Sequence, residues 1–188
     1  ASFLASHSTD PDYIPNRTAE QRAEHFLDMD LYPEPADIPQ SRAAAEKEFG
    51  RDAVIERGLL PWAVEREHRR MASALKAGNW EEARLAAAHL SHFVADVHMP
   101  LHATSNYDGQ KTGNDGIHGR IEYELIPRYH GATMVLPGEI KPIADPLNWA
   151  FAEIGKSFSL IQPLLDADNA ARRAAVLDSE AYYAELER

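Results

Sequence analysis

The sequence predicts an all-α fold with a single domain whose long loops face one site. Three observations lead to this prediction. Helical periodicity recurs along the chain, and Gly, Pro or Asn marks the boundaries of the helical segments. The 188 residues are enough for one domain with a real hydrophobic core. No internal repeat and no linker divides the sequence, so we expect one domain over residues 1–188.

The N-terminal part is predicted to consist of short helices and loops. Ala1–His7 reads as the tail of a helix, and residues 8–15 read as a loop because Pro and Asp punctuate them. A short helical turn is expected over Thr18–Glu24. Residues 25–32 alternate polar and apolar side chains and then meet two prolines, which predicts an extended or looped segment.

Three consecutive helices are predicted next. The first helix is predicted over Ser41–Arg57, because Gly58 follows it in the position where glycine commonly ends a helix. The second helix is predicted from Pro61 to about Lys76, because proline is well tolerated in the first turn of a helix. Asn79 is expected to cap the third helix, whose first turn carries two glutamates that the helix dipole favours. A proline at position 100 predicts that this helix ends near Met99.

A loop and a further helix are predicted after the third helix. Residues 104–116 are rich in Gly, Asn and Asp, which is typical of a loop. Asn114 or Asp115 is expected to cap a helix that starts near Ile117, and Pro127 to kink or end it.

The C-terminal part is predicted to be helical after an irregular stretch over Met134–Ile143. One helix is expected over Leu147 to about Asp166, opened by Pro146 and disturbed at Pro163. Ala170–Arg188 is expected to be helical to the last residue. Because helical pattern reaches both ends of the chain, we expect the natural protein to be longer at each end.

The composition excludes several classes of protein. The net charge is −11 with the nine histidines neutral, which argues against a broad basic surface for polyanions. A phosphate substrate stays compatible, because bound zinc ions would make a site locally positive. The chain has no apolar run long enough to span a bilayer. It has no cysteine, so neither a disulfide nor a thiolate ligand can form.

Two pairs of potential metal ligands share a four-residue spacing. His92 and Asp96 stand four apart on a predicted helix, so both side chains lie on one face and can reach one ion. The proline-containing turn that ends this helix brings His102 close to the same place. His118 and Glu122 repeat the spacing later in the chain. Imidazole and carboxylate groups are good Zn²⁺ ligands, and a helical core would otherwise need a partner for each of them. The pattern therefore predicts a polynuclear zinc hydrolase.

The remaining His and acidic residues are less informative by themselves. Asp10-Pro-Asp12 is more often a turn, and His25 alone reads as an ordinary half-buried side chain. His89 lies three residues before His92 on a neighbouring face, so we expect it to have a structural role or to support a metal ligand. His68 lies on a charged helix face and is expected to be solvated.

The run His92-Phe-Val-Ala-Asp-Val-His-Met-Pro-Leu-His-Ala103 resembles the signature of the zinc-dependent phospholipase C and S1/P1 nuclease superfamily. That signature has a His, three residues and an Asp, then a proline-containing turn and a second His. Gly116–Glu122 resembles its second half. The short gap between the two halves, and Glu rather than Asp at the last position, are more similar to bacterial phospholipase C than to the nucleases. A phospholipase C/P1 nuclease-like helical fold is therefore expected.

The upstream segment extends the resemblance. Thr9-Asp-Pro-Asp-Tyr13, followed by His25-Phe-Leu-Asp28, resembles the stretch that supplies an Asp and a His to the first zinc. The resemblance thus runs from about Thr9 to Glu122. It implies that Asp12, with Asp10 as the alternative, is the acidic ligand from this stretch.

The resemblance implies two zinc sites. The first zinc would be held by Asp12, His25, His92 and Asp96. The second would be held by His102, His118 and Glu122. In the family, the counterpart of Asp96 bridges to a third zinc that an N-terminal Trp and a nearby His also bind. This chain starts with Ala1 and has Met99 where a polar residue is usual before the proline. We therefore expect two zinc ions, and a third only if N-terminal residues are added.

The resemblance also implies a function. Zinc lowers the pKa of bound water to about 7, so zinc-bound hydroxide would cleave a phosphodiester. Asp12 or Glu122 would accept the proton or orient the water. Phospholipase C-like hydrolysis of a phospholipid is the first expectation. Hydrolysis of single-stranded nucleic acid or a 3′-nucleotide is the alternative, and a non-catalytic zinc-binding protein is the alternative of another class. A secreted or periplasmic bacterial protein is implied, with no prediction of its oligomeric state.

Overall fold

The computed structural model of the chain describes residues 2–129, 138, 141–174, 183 and 185. Every regular element in these residues is helical, which confirms the predicted all-α class. The α-helices are α1 (Ser2–His7), α2 (Ala19–Ala23), α3 (Arg42–Phe49), α4 (Arg51–Arg57), α5 (Leu60–Lys76), α6 (Trp80–Val97), α7 (Ile117–Gly119), α8 (Ile126–Arg128), α9 (Pro146–Ser159) and α10 (Ile161–Ala174). Short 3₁₀ turns occupy Asp10–Tyr13, Met29–Leu31, Pro35–Asp37 and Pro100–Ala103, and a π-helical stretch, Arg120–Leu125, joins α7 to α8.

The chain forms two compact units, and each is built from two separate segments. The first unit comprises Ala1–Ser105 and Ile143–Phe158, and the second comprises Asn106–Pro142 and Ser159–Arg188. Because neither unit is one continuous stretch, the prediction of a single domain over the whole chain stays a prediction.

The core of the first unit is a hairpin of α5 and α6, which pack along each other. Asn79 caps α6 as predicted, since its side chain accepts a hydrogen bond from the N–H of Glu82 at 3.2 Å. Trp62 of α5 meets Phe151 of α9 edge-on, with ring centroids 5.4 Å apart. This packing gives α6 a fixed position, which matters because α6 carries His92 and Asp96.

Two short helices replace the single helix predicted over Ser41–Arg57. The break falls at Gly50, which has φ +88° and separates α3 from α4. The predicted helix ran through Gly50, whereas the positive φ of this glycine lies outside the helical range and ends α3 there. The predicted C-terminal glycine, Gly58, does end α4.

The second unit is held by a buried polar group. Asp168 of α10 is fully buried, accepts a hydrogen bond from the Asn114 amide at 2.7 Å, and pairs with the Arg120 guanidinium at 2.9 Å. The prediction that Asn114 or Asp115 caps the helix at Ile117 is wrong, because Gly116 in a left-handed conformation precedes that helix and no side chain caps it. The Asn114 amide instead supports the buried aspartate.

The C-terminal helices differ from the predicted ones. The break lies at Leu160, between α9 and α10, and not at Pro163, which falls in the first turn of α10 where proline is tolerated. Ala170 belongs to α10. Most of the predicted irregular stretch at Met134–Ile143, and most of the predicted helix beyond Ala174, lie outside the described residues.

No helix in the part of the chain that the structure describes is both long and apolar enough to span a membrane.

Candidate metal centre

The candidate centre lies in the first unit, and His25 reaches it from a segment that is not helical. The backbone N–H of Leu27 donates to the His102 carbonyl at 2.9 Å, and the N–H of Leu60 donates to the Phe26 carbonyl at 3.1 Å. These bonds pair backbone groups that an irregular segment would otherwise bury without partners. The backbone of His25 is therefore held in place by the contacts of the two residues that follow it.

Helix α6 supplies the next two residues. His92 and Asp96 share one face, as their spacing predicts, with His92 Nε2 3.3 Å from Asp96 Oδ2. Asp96 is only 8% exposed. A carboxylate at that depth requires compensating groups, because burying its charge is costly.

Asp12 lies beside them in the 3₁₀ turn Asp10–Tyr13, with 46% of its side chain exposed. The alternative acidic ligand, Asp10, instead pairs with His7, whose Nδ1 lies 2.8 Å from Asp10 Oδ2. The placement favours Asp12 over Asp10 as the acidic residue of the cluster.

The ligand atoms of these side chains converge. His25 Nδ1 lies 3.0 Å from His92 Nε2 and 3.2 Å from Asp96 Oδ2. Asp12 is slightly farther out, with its oxygens 3.6 Å from His25 Nδ1 and 3.7 Å from His92 Nε2. Asp12, His25 and His92 each offer a ligand atom within 4.8 Å of the others and could hold a metal ion.

These separations can be compared with those between the ligands of a tetrahedral zinc ion. Four ligands placed about 2.0–2.1 Å from one ion lie about 3.3–3.4 Å from one another. The two histidines lie 3.0 Å from each other, and their separations from Asp12 and Asp96 run from 3.2 to 3.7 Å, with a different Asp12 oxygen facing each histidine.

Three atoms of the cluster lie within 3.3 Å of one another, namely His25 Nδ1, His92 Nε2 and Asp96 Oδ2. Hydrogen bonds alone do not satisfy all three. If one nitrogen carries a proton, the other nitrogen and the carboxylate oxygen face each other as two acceptors. If both nitrogens carry protons, two donors face each other across the 3.0 Å contact between His25 and His92. A cation at the centre is attractive to all three atoms, so the donor set fits a metal ion.

Asp96 also presents its second oxygen to another histidine. Its Oδ1 lies 3.5 Å from His102 Nδ1, while its Oδ2 faces His25 and His92. The carboxylate thus has one oxygen on each of two sides, the geometry that a bridging ligand needs.

His89 has the structural role predicted for it. Arg70 donates to His89 Nδ1 at 3.3 Å, and Arg70 also pairs with the buried carboxylate of Glu67 at 3.0 Å. Burial lowers the pKa of His89. A neutral imidazole that accepts from an arginine supports the helix hairpin next to the centre. His68 is half-buried, not fully solvated.

In the second unit, His118 and Glu122 are paired as predicted. His118 Nε2 lies 3.2 Å from Glu122 Oε1, and His118 Nδ1 donates to the Tyr107 carbonyl at 3.0 Å. Burial has the largest single effect on the pKa of His118 and lowers it, but the hydrogen bond and charge of Glu122, the Tyr107 carbonyl and the charge of Asp108 together raise it, so the net shift is upward. The carbonyl accepts from Nδ1 and so orients the ring with Nε2 toward Glu122. His102 belongs to the first unit, and its convergence with this pair stays a prediction.

Sequence reasoning missed Arg17, whose guanidinium lies against the first-unit cluster. Metal-ligand spacing cannot reveal a cation. The sequence nevertheless contains a hint of its position. Thr18 and Gln21 form a capping box, which fixes the start of α2 and with it the backbone of Arg17, the residue before Thr18.

A scan against protein-family models finds no match to the chain, and a search of the curated proteins finds none either. The function is therefore inferred from the geometry of the candidate ligands in each unit.

Proposed function

We propose that the chain is a zinc-dependent phosphodiester hydrolase of the phospholipase C type, and that Asp12, His25, His92 and Asp96 hold one of its zinc ions. The observation that carries this proposal is that ligand atoms of Asp12, His25 and His92 lie within 4.8 Å of one another, while Asp96 Oδ2 lies 3.2 Å from His25 Nδ1. Two imidazoles in the set favour zinc over Mg²⁺ or Ca²⁺, which prefer oxygen ligands.

The residues of the cluster divide into two roles. His92 and Asp96, each with only 11% of the side chain exposed, are held on α6 and fix the geometry, whereas Asp12 has the most exposed side chain of the four. When bound, zinc polarises a phosphoryl oxygen and lowers the pKa of a coordinated water to about 7. Asp12 is placed to orient a water or accept its proton, and Glu122 is the other carboxylate proposed for that role.

A second zinc ion, bound by His118 and Glu122 of the second unit, belongs to the same proposal. The hydrogen bond from His118 Nδ1 to the Tyr107 carbonyl is of the kind that orients a metal-binding imidazole. The proposed substrate is a phospholipid, and the proposed setting is outside the cytoplasm of a bacterium.

The test compares His92→Ala with a matched control, His98→Ala. His98 is exposed at the C-terminal end of α6, and its Nδ1 donates to the Val94 carbonyl at 2.7 Å, away from the cluster. Zinc content is measured by mass spectrometry, and hydrolysis is assayed with bis(4-nitrophenyl) phosphate, phosphatidylcholine vesicles and single-stranded DNA.

The wild type and His98→Ala are expected to bind zinc and to hydrolyse the simple diester and the vesicles. His92→Ala is expected to lose bound zinc and to lose activity by about 100-fold or more. Faster cleavage of DNA than of vesicles would favour the nuclease alternative. Bound zinc without any hydrolysis would indicate a non-catalytic zinc protein, and a wild type that binds no zinc would refute the proposal.

A further inference from the structure

Arg17 holds a fixed positive charge against the candidate metal centre. Its Nη1 lies 3.3 Å from His25 Nε2, 3.6 Å from Asp12 Oδ1 and 3.5 Å from the Pro11 carbonyl. The side chain is 28% exposed, so the guanidinium faces both the cluster and solvent.

The position of Arg17 is built by its neighbours. Asn16 before it has φ +54°, a left-handed conformation that asparagine tolerates better than most residues. Thr18 after it is the N-cap of α2 and forms a capping box with Gln21. Arg22 donates a hydrogen bond to the Arg17 carbonyl. Several independent interactions thus direct this one side chain toward His25.

The hydrogen bond between Arg17 and His25 conflicts with metal binding by His25. A guanidinium can only donate, so His25 Nε2 must accept, and the one N–H of a neutral imidazole then lies on Nδ1. Nδ1 is the atom that faces His92 and Asp96 in the cluster. A metal ion on Nδ1 would place the N–H on Nε2, where it would face the Arg17 donor.

His118 shows the opposite arrangement. Its outer nitrogen donates to the Tyr107 carbonyl, the acceptor that a metal-binding imidazole needs. His25 has a donor at the corresponding place. The contrast means that Arg17 must leave His25 when a metal ion binds there.

We propose that Arg17 is an anion-binding residue that leaves His25 when a metal ion binds there and donates to the phosphoryl group of the substrate. This inference rests on the proposed function. A guanidinium suits the task because its planar fork can donate two parallel hydrogen bonds to phosphate oxygens. The exposed part of the side chain gives it access to an anion that enters from solvent.

A purely structural role for Arg17 has a different signature. If Arg17 only ties the loop to the cluster, its removal loosens the site and weakens the binding of metal and anion together. If Arg17 competes with the metal and then binds the anion, its removal strengthens metal binding and weakens anion binding.

The experiment uses Arg17→Gln and Arg17→Lys, with Arg69→Gln as the charge-matched control. Arg69 is 72% exposed on α5, where it pairs with Glu65. Zinc affinity is measured by chelator competition. The affinity of the zinc-loaded protein for phenylphosphonate, an anion that cannot be hydrolysed, is measured by calorimetry.

Arg17→Gln is expected to bind zinc about ten-fold more tightly, because a like charge next to the ion is gone. It is expected to bind phenylphosphonate about 10- to 100-fold more weakly, because a charge-assisted hydrogen bond is lost. Arg17→Lys keeps the charge and loses the fork, so zinc affinity stays near the wild-type value and anion affinity falls. Arg69→Gln is expected to change neither affinity.

Parallel weakening of both affinities in Arg17→Gln would overturn the inference, as would unchanged phenylphosphonate binding in both Arg17 variants. In either case the proposed function stands if the wild type binds zinc and hydrolyses a diester. If Arg17→Gln does not fold, the anion affinity of Arg17→Lys decides the inference. A wild type that binds no zinc would instead refute the proposed function, and the inference with it.

Discussion

Replacing Asp96 with Asn tests the centre of the proposed zinc site with the smallest change in shape. The amide has the size of the carboxylate but no charge, and one of its two ends carries donors. In the wild type, Asp96 Oδ2 lies 3.2 Å from His25 Nδ1 and 3.3 Å from His92 Nε2, while Oδ1 lies 3.5 Å from His102 Nδ1. The substitution therefore changes both faces of a group that is placed to bridge.

The expected magnitude follows from linkage between binding and folding. At a free zinc concentration of about 100 times the wild-type Kd, binding stabilises the folded state by about 2.7 kcal/mol. Groups that merely support a metal ligand change affinity by about 10- to 100-fold, so loss of a direct ligand is expected to weaken binding by about 100-fold or more. At the same zinc concentration the Asp96→Asn variant would then gain about 0.4 kcal/mol.

The assay is thermal unfolding with and without zinc. For a chain of this length about 1 kcal/mol corresponds to about 2–4 °C, so the zinc-dependent rise in Tm falls from about 5–11 °C to about 1–2 °C. Glu65→Gln serves as the control, because it removes one negative charge from the side of α5 that carries the ion pair with Arg69. An equal zinc-dependent rise in Asp96→Asn and the wild type would show that Asp96 is not a ligand.

Two further substitutions test the packing around the site. The Tyr32 hydroxyl is buried without a hydrogen-bond partner among the described residues, so Tyr32→Phe is expected to stabilise the protein by about 1 kcal/mol in urea unfolding. Burial raises the pKa of Tyr32 above its unfolded value of about 10, so the wild type loses stability as the pH rises beyond that value. Tyr32→Phe has no hydroxyl to ionise and is expected not to show this loss. Identical dependence of stability on alkaline pH in the two proteins would contradict the burial of the hydroxyl. Gly58→Ala is expected to weaken zinc binding and to destabilise the fold by more than Gly50→Ala. Both glycines have positive φ, but an added Cβ meets a backbone carbonyl only at Gly58 and open space at Gly50. Equal losses in the two alanine variants would show that the close approach at Gly58 is unimportant.

The elements that local rules determine were predicted well. The spacing of His92 and Asp96, the cap at Asn79 and the C-terminal glycine at position 58 depend on neighbours within one or two turns, and the structure has them as predicted. The break at Gly50 was missed because a glycine in a helical pattern is compatible with both a tolerated interior residue and a new start.

Long-range polar contacts could not be predicted in the same way. Asn114 matched a capping residue by type and position, but it lies buried against Asp168, which is more than fifty residues away in the sequence. Arg17 could equally have been a solvated loop residue. In both cases the residue type allows several partners, and tertiary packing selects among them.

The placement of His25 shows why the candidate site depends on residues that bind nothing. No helix or strand holds this histidine, so its ring position is set by the bonds from Leu27 to the His102 carbonyl and from Leu60 to the Phe26 carbonyl. The second bond requires the chain at the start of α5 to run against residue 26, and Gly58 permits that approach because it lacks a Cβ. A side chain at position 58 would displace the backbone next to His25, which is why a substitution that touches no proposed ligand is expected to lower metal affinity. The motif in the sequence thus specifies the proposed ligands on α6, and the backbone contacts of Phe26 and Leu27 bring His25 to them.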